Sequence, residues 1–268
     1  HTMAAIEGSS ATTSSRTEKV YVLYGSQTGN SEQAAKELCD QVPTKLSPQV
    51  IQKLTGTKDE ITVEPVHMQL DDFLELEKCT WTRLVVIITS SYGVGHAPLG
   101  CYRYRDLCDA WYDMYKESNG SSNNGSGKIL EGISFALCGL GDSKYTTFFQ
   151  NPTRINEVMH LVGAKRVGSL GKADASGTGK ELQGKVIEEW MANIWPHLAQ
   201  VVMQPPLSVD RLNEMQMDTV KLCLKINPDF EFGDGKSGST GAMSQAILYS
   251  AVAVAILSVL IYLFTQDK

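Results

Sequence analysis

The chain has 268 residues, 42% of them hydrophobic, and a formal net charge of −6. That suffices for one α/β domain of about 180 residues with appendages, and the modest acidity without a basic cluster excludes nucleic acid as the main partner. The six cysteines (Cys39, Cys79, Cys101, Cys108, Cys138, Cys223) form no C-x-x-C pair, so they read as free thiols in a reducing compartment rather than as disulfides or a metal site.

Residues 1–18 are polar, low in complexity and expected to be disordered. Residues 20–24 (V-Y-V-L-Y) read as a strand buried on both faces, running into the loop G-S-Q-T-G-N-S and then a helix over about 30–41. A strand, a loop of glycines and hydroxyls and a helix start make an anion site, because first-turn N–H groups lack partners and the helix dipole favours negative charge. The loop has no G-x-x-x-x-G-K-[ST] and no Lys or Arg between Gly25 and Ser31, and it lacks G-x-G-x-x-G. A nucleoside triphosphate and a dinucleotide are therefore disfavoured, and a single terminal phosphate held by hydroxyls and amides fits better.

Residues 43–60 read as a loop or irregular insertion, and 61–65 as a short strand placed near a sheet edge by Pro65. A turn and short helix follow at 71–74. The apolar run 83–89 is a second buried strand ending in S-S-Y-G-V-G, with a helix over 101–115 and a flexible stretch at 117–127. Residues 133–139 form the next strand, ending in L-G-D-S-K-Y. Pro152 opens a helix to about 161, residues 166–170 are a short strand, and 181–201 is an amphipathic helix with Val186, Trp190, Ile194 and Leu198 on one stripe. This alternation predicts a doubly wound parallel sheet with ligands at the carboxyl ends of its strands.

Three loops together, Y-G-S-Q-T-G-N-S-E, S-S-Y-G-V-G and G-L-G-D-S-K-Y-T-T-F, resemble the FMN-binding domain of the diflavin reductases, a flavodoxin-like family that includes the NADPH–haemoprotein reductases. The resemblance spans about 19–200 and implies a five-stranded flavodoxin-like parallel sheet with FMN as cofactor. It assigns the phosphate to Ser26, Gln27, Thr28, Gly29, Asn30 and Ser31. One side of the ring falls to Ser90, Ser91, Tyr92 and Gly93, the other to Leu140, Gly141, Asp142, Tyr145, Phe148 and Phe149, with Asp174 as an acid near the flavin. Tyr92 and Tyr145 become an aromatic sandwich. Two positions depart from the family pattern. Val94 stands where Glu is usual, and Lys172 precedes the acidic position in place of a run of acids, which thins the acidic docking face.

The domain is expected over 19–204, followed by a juxtamembrane linker at 205–245 and an uncharged apolar run at 246–264. At 1.5 Å per residue such a run spans about 28 Å, close to a bilayer's hydrocarbon core, and it reads as a single C-terminal transmembrane helix, a tail anchor. The favoured function is a membrane-tethered FMN electron carrier, without catalytic or metal-ligating residues of its own. A separate FAD-containing NAD(P)H reductase would feed it, and a haem or other redox protein at the membrane would accept. The flavin domain is expected in the cytosol, at the endoplasmic reticulum in preference to the mitochondrial outer membrane. Two alternatives stay open: a flavodoxin-fold quinone reductase, and a tail-anchored interaction module without flavin.

Overall fold

Three apolar runs of period-free hydrophobicity become the centre of one parallel sheet, because a strand covered by helices on both faces must be apolar throughout. A computed structural model describes residues 14–118 and 128–233. In chain order the elements are β1 (Ser15–Gly25), α1 (Asn30–Lys45), α2 (Pro48–Thr55), β2 (Glu60–Gln69), α3 (Leu70–Leu74), β3 (Leu84–Ser90) and α4 (Tyr102–Ser118). Then come β4 (Ser134–Gly141), α5 (Gln150–Leu161), β5 (Lys165–Arg166), β6 (Gly171–Asp174), α6 (Gln183–Met203) and α7 (Val209–Ile226).

The strand order is β2-β1-β3-β4-β5, with β6 also on β4 and every pairing parallel. The expected fifth strand is thus present in two pieces. Phe135 pairs with Arg166 and Cys138 with Gly171, so three steps along β4 face five along the partner. The excess is taken up around Gly168, whose φ of +69° an L residue rarely adopts. Of the short strand expected at 166–170 only Arg166 is in β5; 167–170 form the bulge, and the strand resumes at 171–174.

Two apolar layers flank the sheet. One joins Val20, Val22, Val86 and Ile88 to Leu38 and Val42 of α1 and to Trp190, Ile194 and Leu198 of α6. The other joins Leu23, Val85, Ile87, Phe135 and Leu137 to Leu107 and Trp111 of α4, Ile155 and Val158 of α5, and Met215, Val220 and Cys223 of α7.

Four expectations are corrected here. Residues 15–18 are ordered in β1, where Ser15 pairs with Glu60 and the Arg16 guanidinium donates to Val202 O at 2.6 Å and Gln204 O at 3.0 Å. The first helix runs past Pro43 to Lys45: the proline forfeits one i→i−4 bond, and the burial of Val42 and Leu46 on either side holds the turn. Residues 48–55 form a helix, α2, opened by Ser47, whose hydroxyl accepts from Val50 N at 3.4 Å, and closed at Gly56.

The supposed linker at 205–245 contains α7, capped by Ser208 and buried through Met215, Gln216, Thr219, Val220 and Cys223. The Gln216 amide donates to Leu76 O at 2.9 Å and Glu77 O at 2.8 Å, tying α7 to the chain after α3. The compact unit holding all these elements ends at Phe232, not at residue 204. Among the described residues no helix is long and apolar enough to cross a membrane. The apolar run at 246–264, most of the flexible stretch at 117–127 and residues 1–13 of the N-terminus lie outside the described residues.

Candidate functional site

β1 sends its chain outward through α1 and β2, while β3 sends its chain the other way to β4. The carboxyl ends of β1 and β3 therefore lie side by side at the point where the strand order reverses, which is where such sheets leave a crevice. A cleft of about 390 Å³ opens there, within the range of small-molecule sites.

Its floor is the turn from β1 into α1. Ser26 closes that turn, donating its N–H to Leu99 O at 3.0 Å and accepting at Oγ from Gly29 N at 3.0 Å. Gly29 is the N-cap residue. Gln27, Thr28, Asn30 and Ser31 line the cleft. The amides of Asn30, Ser31 and Glu32 find no backbone acceptor among the described residues, as expected for a first helical turn. Ser31 is 1% exposed, and its hydroxyl and the Gln27 Oε1 are buried without a partner. Buried polar atoms in this condition cost about 1–3 kcal/mol each, so the floor is built for a polar group that supplies what they lack.

One wall is the loop after β3. Asn151, fully buried on α5, holds it by donating Nδ2 to Ser90 O and its backbone N–H to Ser91 Oγ, both at 3.0 Å. Tyr92 and His96 then exchange backbone hydrogen bonds at 3.0 and 2.9 Å, a tight reversal that leaves the Tyr92 ring 51% exposed beside Gly93. The other wall follows β4: Leu140, Gly141, Asp142, Tyr145 and Phe148 line the cleft, and Tyr145 is 62% exposed. Two successive turns place it there, Tyr145 N to Asp142 O and Phe148 N to Tyr145 O. Exposed aromatic rings on opposite walls of an open cleft suit a flat ligand.

Four expected residues do not line the cleft: Ser26 and Gly29, which form the turn beneath it, and Phe149 and Asp174. Phe149 is buried, with its ring against the bare Cα of Gly139. Asp174 does not line the cleft, because its carboxylate accepts from the amides of Ser143 and Ser176, each at 2.9 Å. Those bonds, led by the one to Ser143, hold its pKa below the ordinary carboxylate value. Asp142 is held down in the same way, chiefly by the Ser176 hydroxyl at 2.5 Å. Both acids brace loops. Three further residues line the cleft: Thr147, which lies in the segment between Tyr145 and Phe149 that the resemblance assigns to this wall, and Ala175 and Gln183, which no motif marks. Thr147 donates to Gly93 O at 3.1 Å, and Gln183 accepts from Asn30 at 3.3 Å while its amide reaches Gly141 O at 3.4 Å. Only proximity in the fold marks Ala175 and Gln183.

None of the residues lining the cleft is Lys or Arg. A donor set of hydroxyls and helix amides below, with flat rings above, fits a monophosphate bearing a planar ring. Residues 22–190 match the family model described as Flavodoxin, so this chain belongs to the flavodoxin family. FMN is the cofactor it binds.

Among curated relatives, the chain is 30% identical over 175 residues to the bifunctional cytochrome P450/NADPH–P450 reductase of Bacillus cereus, covering 65% of this chain and 13% of that protein. It is 27% identical over 206 residues to methionine synthase reductase of Caenorhabditis elegans, covering 77% and 25%. Against human NADPH–cytochrome P450 reductase it is 26% identical over 181 residues, covering 68% and 22%. The chain thus spans a quarter or less of the length of each. Together these relatives make it a flavodoxin-like electron-transfer domain related to the diflavin reductases.

Proposed function

We propose that this chain is a membrane-tethered FMN electron carrier, taking electrons from an FAD-containing NAD(P)H reductase and delivering them to a haem or other redox protein at the membrane. The observation that carries the reading is the cleft at the sheet's reversal point, floored by unpaired polar atoms at the start of α1 and walled by two exposed tyrosines. In this reading Thr28, Ser31 and the amides of Asn30, Ser31 and Glu32 hold the phosphate, and Tyr92 and Tyr145 flank the ring. Bound FMN supplies the redox chemistry, and the chain supplies position and electrostatics. No side chain need act as acid, base or nucleophile. Open walls let a partner approach the ring edge, as an electron carrier requires.

The tether is the uncharged run at 246–264, long enough for one bilayer crossing. The domain faces the cytosol, at the endoplasmic reticulum in preference to the mitochondrial outer membrane, and its free thiols agree with a reducing compartment. Cys39, Cys101, Cys108, Cys138 and Cys223 are buried and free. Burial pushes Cys101 and Cys138 up to about 12 and Cys39 and Cys223 up to about 11, so these thiols are unreactive packing groups.

The test mixes the detergent-purified full chain with NADPH, alone and with a catalytic amount of an FAD-containing reductase. Bleaching of the flavin only in the second mixture supports the carrier, whereas rapid bleaching by NADPH alone contradicts it. For topology, the N-x-S sequons at Asn119 and Asn124 should carry no glycan in cells, and a glycan on either would overturn a cytosolic domain.

A further inference from the structure

The strand that bears Asp174 alternates in and out of the core: Gly171 and Ala173 are buried, while Lys172 is exposed on the other face. Lys172 pairs across the ladder with Gly139, and it is on Gly139 that the Phe149 ring rests. The Lys172 ammonium stands 4.9 Å from the centre of the Phe148 ring and 5.3 Å from that of Phe149, within the range of cation–π attraction. Phe148 is itself part of the cleft wall. A positive charge is therefore fixed behind one aromatic wall of a cleft whose own lining holds no cation.

The neighbouring carboxylates already hold hydrogen-bond partners of their own. Asp142 spends its carboxylate on Lys144 N and Ser176 Oγ, and Asp174 spends its own on Ser143 N and Ser176 N. Lys172 draws Asp174 further down electrostatically, yet it forms no ion pair within 4 Å among the described residues.

We propose that Lys172 is a positioning residue that tunes the flavin: held over Phe148 and Phe149, its charge favours added electrons in the cleft and raises the midpoint potential of the bound cofactor. This rests on the reading of the cleft as the FMN site. It also gives the departure at this position a consequence. Where acids beside a flavin oppose its reduction, a cation in their place relieves that opposition, by Coulomb's law alone.

The test compares Lys172→Met, which keeps the aliphatic stem and removes the charge, with Lys172→Arg, which keeps the charge. For each, FMN affinity is measured in the oxidised and reduced states, and the two-electron midpoint potential is titrated at low and high salt. The expected result for Lys172→Met is unchanged oxidised affinity and reduced-state affinity weaker by roughly two- to ten-fold, with a lower midpoint. That difference should shrink at high salt, and Lys172→Arg should match the wild type. A midpoint in Lys172→Met equal to wild type overturns the proposal, as does a Lys172→Arg midpoint lowered like that of Lys172→Met. Loss of oxidised FMN binding in Lys172→Met also overturns it, by showing a packing role. A wild-type chain that binds no FMN instead overturns the reading of the cleft, an outcome distinguishable because no variant is needed to see it.

Discussion

Thr147 Oγ1 donates a hydrogen bond to Gly93 O at 3.1 Å, joining the loop after β4 to the loop after β3 across the mouth of the cleft. The two exposed tyrosines stand on the loops so joined. Thr147→Val, which keeps the shape and removes the donor, should cost about 0.5–1.5 kcal/mol of loop order and weaken FMN by a few-fold. Fluorescence titration of the released flavin checks this.

Tyr92 and Tyr145 bury little of themselves, at 51% and 62% exposed, so truncating either removes scarcely any core. Each Tyr→Ala change should leave the apoprotein's melting temperature within a degree or so while weakening FMN. Base-like stacking is worth about 1–3 kcal/mol per ring, which is roughly a five- to hundred-fold change in dissociation constant. Unchanged FMN affinity in both variants would refute the two-walled site.

Ser31 predicts opposite signs for fold and ligand. Its hydroxyl is buried and unpaired, so Ser31→Ala should leave the apoprotein as stable or more stable. The same change removes a donor to an ionised phosphate, a contact of about 1.5–3 kcal/mol. Parallel melts with and without FMN should show the stabilisation by ligand falling while the apoprotein melt holds or rises.

Much of this site is legible in the order of residues alone. Val20–Tyr24, Leu84–Thr89 and Phe135–Cys138 are apolar without alternation, and each runs into small residues, a pattern that places loops at the carboxyl ends of buried strands. What is not legible depends on contacts distant in sequence. Gln183 reaches the cleft only because the start of α6 converges there, and the bond from Thr147 to Gly93 spans two loops. Asp174 sits at the expected position, but its carboxylate is taken by Ser143 and Ser176, which no spacing reveals. The helix α7 does leave a signal in Ser208 and in Leu212, Met215, Thr219 and Cys223 at helical spacing. It is masked by the prolines before it and the apolar span after it.

That helix carries the next prediction. Gln216→Ala strips the donor from Leu76 O and Glu77 O, just beyond α3, and should cost about 1–3 kcal/mol. A domain of this size should then melt lower by about 2–4 °C per kcal/mol. The effect should reach the cofactor, because Asp71 of α3 caps α4 by accepting from Tyr102 N at 3.0 Å and Tyr104 N at 2.9 Å, and its amide holds Gly100 beside Leu99, the acceptor for Ser26. Truncation after Gln204 should accordingly hold FMN more weakly than truncation after Gly233.

The braces at Asp142 and Asp174 predict a pH dependence. Both carboxyls titrate below their ordinary value of 3.8 because their ionised forms accept hydrogen bonds. A depressed folded-state pKa contributes stability that is present above the unfolded value and lost as pH falls through the folded one. Asp174→Asn should therefore bind FMN less tightly than wild type at neutral pH, with the gap closing below about pH 4. A gap that stays constant at every pH below 3.8 at which the fold persists would contradict the assignment of these acids as ionised braces.

FMN in the cleft between the loops after β1, β3 and β4 underlies every one of these expectations. The most direct measurement is the visible absorbance of the full chain purified in detergent, followed by chromatography of the flavin released on denaturation. A yellow protein that carries FMN, or takes it up stoichiometrically, is the predicted result. A colourless protein that takes up no added FMN, or one that releases FAD, would contradict it.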